Sequence, residues 1–115
     1  MISQKHIKDS ERKFVTYMNE SGHFAQRIAG SGCGKYSCCD VISIIDNQVY
    51  LTEIKSTSAD KLQITSKMQQ QLQKMIDVAK QHPPLKAMLA IHWKRRGWEI
   101  KVLEKINNIN LHYTR

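Results

Sequence analysis

Residues 40–56 read DVISIIDNQVYLTEIKS and contain two short runs rich in Val, Ile, Tyr and Thr. These residue types are enriched in β-strands. The two runs are separated by Asp46-Asn47, a dipeptide that tolerates the left-handed backbone of a tight hairpin turn. We therefore predict an antiparallel hairpin with strands over residues 40–45 and 48–56.

The length of the hairpin turn determines which residues face each other. With Asp46 and Asn47 as a two-residue turn, Asp40 lies directly opposite Glu53. Lys55 then follows on the same face, because side chains alternate along a strand. A loop of three or five residues would move this register by one position, so the prediction depends on the loop length.

Two carboxylates that face each other across a strand pair repel, so the arrangement favours a cation between them. Oxygen donors without His or Cys suit Mg²⁺, which takes one or two carboxylates together with substrate phosphate. This layout is typical of phosphodiester hydrolysis, in which Lys55 would hold the attacking water or offset negative charge on the phosphate. The alternative is a surface acid pair covered by a lysine side chain, and the hairpin alone does not choose between the two.

The remaining segments supply further helices and strands. Apolar periodicity and capping residues predict a helix over 9–22, which begins at Asp9 or Ser10 and ends at Gly22, and a second helix over 65–81. Strand-forming runs predict a strand over 23–29 and a strand pair over 85–93 and 98–103. The second helix has apolar residues at helical spacing, namely Met68, Leu72, Met75, Ile76 and Ala79. The order of elements predicts one α/β (α+β) domain over 1–115, with its core at about 8–103 and a tail over 104–115 left unassigned.

The charge of the chain favours a polyanionic partner. The 115 residues contain 18 Lys and Arg against 10 Asp and Glu, which gives a formal net charge of +8. Nucleic acid is the first expectation and a membrane surface the second. Because the sequence has neither a membrane-spanning apolar run nor a signal peptide, we expect a soluble, intracellular, cytoplasmic protein with no membrane partner.

Three cysteines, Cys33, Cys38 and Cys39, lie close together in a Gly-rich loop. An odd and clustered set is unlike a secreted disulfide framework, so we expect reduced thiols. The alternative is a zinc-stabilised nucleic-acid module, which would need a fourth ligand from His23, His92 or a second subunit.

The residues around the acid pair resemble those of a known nuclease group. Asp40-Val41 followed by Glu53-Ile54-Lys55 resembles the D…E-x-K core of the PD-(D/E)xK restriction-endonuclease-like nucleases. The wider segments are similar, in order and spacing over about residues 8 to 103, to the archaeal Holliday junction resolvases: SER at 10–12, QRIAGS at 26–31, TEIKST at 52–57 and GW at 97–98. This resemblance implies a restriction-endonuclease-like sandwich, with a central mixed five-stranded sheet flanked by helices.

The same resemblance implies a structure-selective endodeoxyribonuclease that resolves four-way DNA junctions by paired, metal-dependent phosphodiester hydrolysis. Mg²⁺ is the expected cofactor, with Mn²⁺ as the alternative ion. A four-way junction has two-fold symmetry, so we also expect a homodimer. Candidate dimer surfaces are Met75, Ile76 and the strand over 85–93.

Residue roles follow from the resemblance position by position. The implied catalytic residues are Glu11, Ser31, Asp40, Glu53 and Lys55. The implied metal ligands are Glu11, Asp40, Glu53 and the carbonyl of Ile54. The implied DNA contacts are Arg12 and Arg27, and the basic residues Lys35, Lys61 and Lys67 are expected to add phosphate contacts.

Two features depart from the family pattern. The loop between Ser31 and Asp40 is longer than expected and holds all three cysteines, and the second helix presents glutamines at residues 69–71 and 73. Two alternatives therefore stay open besides the zinc module. One is another DNA repair or nicking nuclease of the same fold, and the other is a non-catalytic DNA-binding protein.

Overall fold

The structure is a computed structural model that describes residues 4–28, 38–105 and 112–113. Its elements are α1 (Gln4–Glu20), β1 (Phe24–Arg27), β2 (Val41–Ile45), β3 (Gln48–Thr57), α2 (Ser66–Gln81), β4 (Lys86–Trp93) and β5 (Gly97–Leu103). The strands form one sheet in the order β1-β2-β3-β4-β5. Only β3 and β4 are parallel, so the described sheet is mixed, as predicted.

The hairpin between β2 and β3 has the predicted two-residue turn. Asp46 and Asn47 both adopt positive φ angles, 50° and 68°. Ile45 pairs with Gln48 and Val41 pairs with Thr52, which is the register expected for that turn. The ladder ends at the pair of Val41 with Thr52, so Asp40 lies one residue beyond its end.

The two helices pack on opposite faces of the sheet. On one face, Phe14 and Met18 of α1 pack with Ile54 and Met88. On the other, Leu72 of α2 belongs to a cluster of buried residues with Leu51, Leu89 and Ile91. Because neighbouring strand residues point to opposite faces, this division places β3 and β4 between two apolar layers.

Helix α2 and the β4–β5 pair confirm the corresponding predictions. Thr65 caps α2, and its side-chain oxygen accepts a hydrogen bond from the Met68 amide at 3.1 Å. The five predicted apolar residues of this helix are all buried. The strands β4 and β5 pair antiparallel, with Trp93 opposite Gly97.

The predicted start of the first helix is wrong. Helix α1 begins at Gln4, so Asp9 and Ser10 lie inside it and do not cap it. Residues 4–8 include Gln and Lys, which are good helix formers and allow the helix to extend upstream. Asp9 instead forms an ion pair with Arg12 at 3.6 Å within the helix. The predicted end agrees with the structure, since Gly22 follows with a φ of 87°.

The candidate dimer surfaces are also wrong. Met75 and Ile76 are at most 1% exposed within the subunit, and β4 is an interior strand with neighbours on both sides. Met75, Ile76 and residues 87–91 of β4 therefore pack in the core and present no surface to a partner, whereas Lys86 is exposed and His92 is half-buried. The described part of the chain has no helix with the length and apolarity needed to span a membrane.

Candidate active site

Asp40 and Glu53 meet at one end of the β2–β3 hairpin. Asp40 directly precedes β2, and its amide donates to the Thr52 carbonyl at 3.2 Å. Its carbonyl accepts a hydrogen bond from Ile28 beyond β1 at 3.0 Å. The backbone of Asp40 is therefore fixed from both sides, next to the strand that provides Glu53 and Lys55.

The carboxyl groups of Asp40 and Glu53 share a hydrogen bond, which requires a proton on one of them. The pKa of Glu53 is raised to about 9, first by burial, then by this hydrogen bond and by the negative charge of Asp40. The Lys55 ammonium acts in the opposite direction, while the charge of Glu11 raises the pKa further. Glu53 is only 7% exposed, so water does little to separate these charges.

Glu11 is a buried acid of α1 with its own cation. It is 5% exposed, and its Oε1 accepts a hydrogen bond from Arg27 Nε of β1 at 3.0 Å. Its charge reaches Glu53, so it lies near the acid pair. Within residues 4–28, 38–105 and 112–113, no three His, Cys, Asp or Glu side chains form a group that could hold one metal ion. The role of Glu11 as a third metal ligand stays a prediction.

A cleft of about 520 Å³ opens beside the acid pair. Asp40, Ile54 and Lys55 line it, so three of the residues singled out from the sequence share one surface. The rest of its lining, mostly basic or polar, comes from α1, the end of β3, and β4 with the turn after it: Asp9, Ser10, Lys13, Ser56, His92, Lys94 and Arg95. This distribution of charge is suited to a phosphate backbone next to the acids.

His92 is a residue of this cleft that the sequence did not predict for the nuclease site. Its position depends on the parallel pairing of β4 with β3, which places it beside Ser56. Burial, together with the charges of Lys13 and Lys94, lowers the pKa of His92 below its usual value of 6.5. Its ring stacks on Trp98 at a centroid distance of 4.6 Å. Only a prediction of the long-range strand order would have revealed this neighbour.

The residues predicted to contact DNA do not form one surface in the described part of the chain. Arg27 is held by Glu11, whereas the Arg12 side chain is 61% exposed on α1. Lys61 and Lys67 are exposed but do not line the cleft. Ser31 and Lys35 lie outside the described residues, as does the 30–37 loop. The DNA-binding roles of all these residues stay predictions.

The two described cysteines form part of the protein interior. Cys39 is 6% exposed and belongs to the α2-side core, with Cys38 packed against it. Burial is the main cause that raises the pKa of Cys39 to about 12, with the neighbouring Cys38 adding to it. Cys39 is therefore a protonated thiol at neutral pH in the metal-free protein, as expected of a cysteine packed in the core. Cys33 lies outside the described residues.

A mixed five-stranded sheet between helices, with an acid pair and a lysine at the end of a central hairpin, is the architecture of a restriction-endonuclease-like nuclease. The family model described as archaeal Holliday junction resolvase (Hjc) matches residues 3–114. The chain belongs to this family, and it is thus a Holliday junction resolvase, a DNA-binding endonuclease of recombination and repair.

A solved structure supports the fold independently. The chain is similar to Hjc of Archaeoglobus fulgidus, a Holliday junction resolvase from an archaeal hyperthermophile, with a TM-score of 0.70 and 19% identity. The match covers 91% of this chain and 84% of the Archaeoglobus chain. At that identity the likeness establishes the shared fold. A search of curated proteins finds no match.

Proposed function

We propose that this resolvase is a Mg²⁺-dependent homodimer that cuts four-way DNA junctions by two paired nicks, one from each subunit. The single observation that supports this most directly is the contact between Asp40 and Glu53. Glu53 is buried beside the half-buried Asp40, and burial together with the contact and charge of Asp40 raises the pKa of Glu53 to about 9. A divalent cation would replace that proton and stabilise both carboxylates.

The donor atoms of this site fit a hard cation. Asp40 and Glu53 would hold the ion through carboxylate oxygens, and the carbonyl of Ile54 would be a third donor. Oxygen donors of this number suit Mg²⁺, with Mn²⁺ as the alternative, because Mg²⁺ keeps several waters and binds substrate phosphate directly. A bound ion would polarise the scissile phosphate and lower the pKa of the attacking water.

The chain itself supplies positive charge where the phosphate would react. The Lys55 ammonium is close enough to lower the pKa of Glu53, so it can stabilise the negative charge that builds on the phosphate. Glu11 fixes the guanidinium of Arg27 through Nε, which leaves the other N–H groups of Arg27 to bind phosphate oxygens. In the hydrolysis, water forms a new P–O bond and the bond from phosphorus to the leaving sugar oxygen breaks.

The test uses an end-labelled synthetic four-way junction and a linear duplex of matched sequence. Purified protein is incubated with each substrate, with Mg²⁺ or with a chelator, alongside the variants Asp40→Asn and Lys55→Ala. We expect paired nicks confined to the junction, which are lost in the chelator and in both variants. Lys86→Gln is the matched control because it removes one exposed charge at the opposite end of β4.

Two outcomes would overturn parts of this proposal. Equal cutting of the linear duplex would leave a nuclease without selectivity for junctions. Tight junction binding without cleavage under any divalent ion would make the protein a binding protein, and the roles of Asp40, Glu53 and Lys55 would be wrong.

A further inference from the structure

The turn between β4 and β5 is basic, and backbone hydrogen bonds hold it on both sides. Residues 94–97 read KRRG. The Lys94 amide donates to the Thr57 carbonyl at 2.9 Å, and the Arg96 amide donates to the Trp93 carbonyl at 2.8 Å. The turn is thus bonded both to the neighbouring strand β3 and to the end of its own strand.

A second set of contacts fixes Arg96 from outside the turn. The Arg96 guanidinium forms an ion pair with Asp60 and lies 4.8 Å from the centre of the Tyr113 ring. Tyr113 is itself held, since its amide donates to the Asp60 carbonyl at 2.8 Å and its ring packs edge-on against Trp93 at 5.7 Å. Arg96 is therefore neutralised and serves the structure of the turn.

Arg95 differs from Arg96 in its ion pairing and in its backbone conformation. It is exposed and forms no ion pair with the residues that the structure describes. It has a φ of 69°, a left-handed conformation that is uncommon for residues other than Gly, Asn and Asp. A long cationic residue in a conformation that Asn or Gly would adopt more easily suggests a use for its charge.

The position of Arg95 between two clefts indicates which ligand its charge would bind. It lines the cleft of Asp40 and Lys55, and it also lines a second cleft of about 630 Å³ formed with Asp60, Arg96, His112 and Tyr113. The two clefts therefore meet at this one side chain. A phosphate backbone that leaves the acid pair in this direction would pass Lys94 and then Arg95.

We propose that Arg95 binds a DNA backbone phosphate at the boundary between the two clefts and so directs the DNA strand from the active site over the β4–β5 turn. The inference rests on the proposed function, since it takes junction DNA as the ligand. Arg95 is a positioning residue, because its contact is with a phosphate other than the one that is cut. The ion pair of Arg96 with Asp60 helps to hold the turn in place.

The experiment measures the affinity of the full chain for a fluorescent four-way junction in chelator, over a series of salt concentrations. The variants are Arg95→Asn and Arg95→Gly, both of which suit the left-handed backbone and are expected to fold as well as the wild type. Loss of one phosphate contact should weaken binding several-fold and reduce the slope of log K against log salt by about 0.9. Arg95→Lys, which keeps the charge, should retain most of the slope.

Lys86→Asn is the control, because it removes one exposed charge at the far end of β4, an eight-residue strand that is roughly 25 Å long at about 3.3 Å per residue. It should leave the slope closer to that of the wild type than Arg95→Asn does. The proposal is overturned if Arg95→Asn and Lys86→Asn give the same affinity and the same slope. Because binding is measured without metal, this result is independent of whether the wild type cuts the junction in Mg²⁺, which is the test of the proposed function.

Discussion

Glu53 is held in a setting that opposes its ionisation. Burial, the hydrogen bond with Asp40, and the charges of Asp40 and Glu11 all raise its pKa, and only Lys55 acts against them. Natural proteins keep such destabilising groups mainly at functional sites. The pair is thus better explained as a cation site than as a source of stability.

The stability of the metal-free protein should therefore fall as pH rises. Between the unfolded pKa of Glu53, near 4.5, and its folded pKa of about 9, the folded state keeps a proton that the unfolded state has lost. The free energy of unfolding then decreases by up to about 1.4 kcal/mol per pH unit in this range. Urea titrations in chelator at several pH values would measure it, and Mg²⁺ should reduce the loss. Asp40→Asn removes part of the pKa shift of Glu53, so the loss of stability should end at a lower pH than in the wild type. The same pH range in that variant would contradict the assignment to this pair.

The ion pair between Glu11 and Arg27 should contribute to stability as well. Arg27→Gln leaves the Glu11 carboxylate buried without its cation, and because the Arg27 side chain is 32% exposed we expect a loss of about 2 kcal/mol, below that of a fully buried pair. Arg12→Gln, which breaks the exposed ion pair between Arg12 and Asp9 of α1, should lower the free energy of unfolding by less than about 0.5 kcal/mol. Thermal or urea denaturation measures both. If the double variant Glu11→Gln/Arg27→Gln is no more stable than Arg27→Gln, the buried charge of Glu11 is not the cause.

At the scale of elements, the hairpin turn sets the geometry of the acids. Both Asp46 and Asn47 have positive φ, so Asn47→Gly should keep or raise stability, whereas Asn47→Val should destabilise the protein by about 1–2 kcal/mol. Both are measured by urea denaturation. Asn47→Gly should also retain junction cleavage, because the register that brings Asp40 to Glu53 is unchanged. Equal stability of the two variants would show that the turn does not require this backbone.

Elements that depend on nearby residues could be predicted from the sequence. The Asp46-Asn47 turn determined the pairing of β2 with β3, and the helical spacing of the apolar residues from Met68 to Ala79 predicted α2. The start of α1 was not predicted, because Asp9 is a capping residue type that also occurs on helix surfaces. The neighbours of His92 were not predicted either, since they depend on β4 returning parallel to β3 through a helix, a pairing between residues far apart in sequence. The acids of the site were therefore predictable, and the basic wall of its cleft was not.

At the scale of the whole molecule, the described residues of one subunit present one acid pair, while a four-way junction requires two symmetric cuts. A net charge of +8 over 115 residues attracts DNA to the surface in general and does not by itself pair the cuts. Pairing needs two active sites in a fixed relation, which a two-fold dimer supplies. The interface of the proposed dimer would use residues other than Met75 and Ile76, because both are buried within the subunit.

A dimer with a single active subunit tests this relation directly. Wild type and Lys55→Ala subunits are given different affinity tags and co-expressed, and the heterodimer is isolated through both tags. The substrate is a supercoiled plasmid with an inverted repeat extruded as a four-way junction. Two nicks made in one encounter yield a linear plasmid, whereas one nick relaxes the plasmid and removes the junction. We therefore expect linear product from the wild-type dimer and nicked circles from the heterodimer.

A heterodimer of wild type with Lys86→Gln should behave as the wild type. Linear product from the Lys55→Ala heterodimer at the wild-type rate would mean that one active site makes both cuts, and the assignment of one nick to each subunit would be wrong.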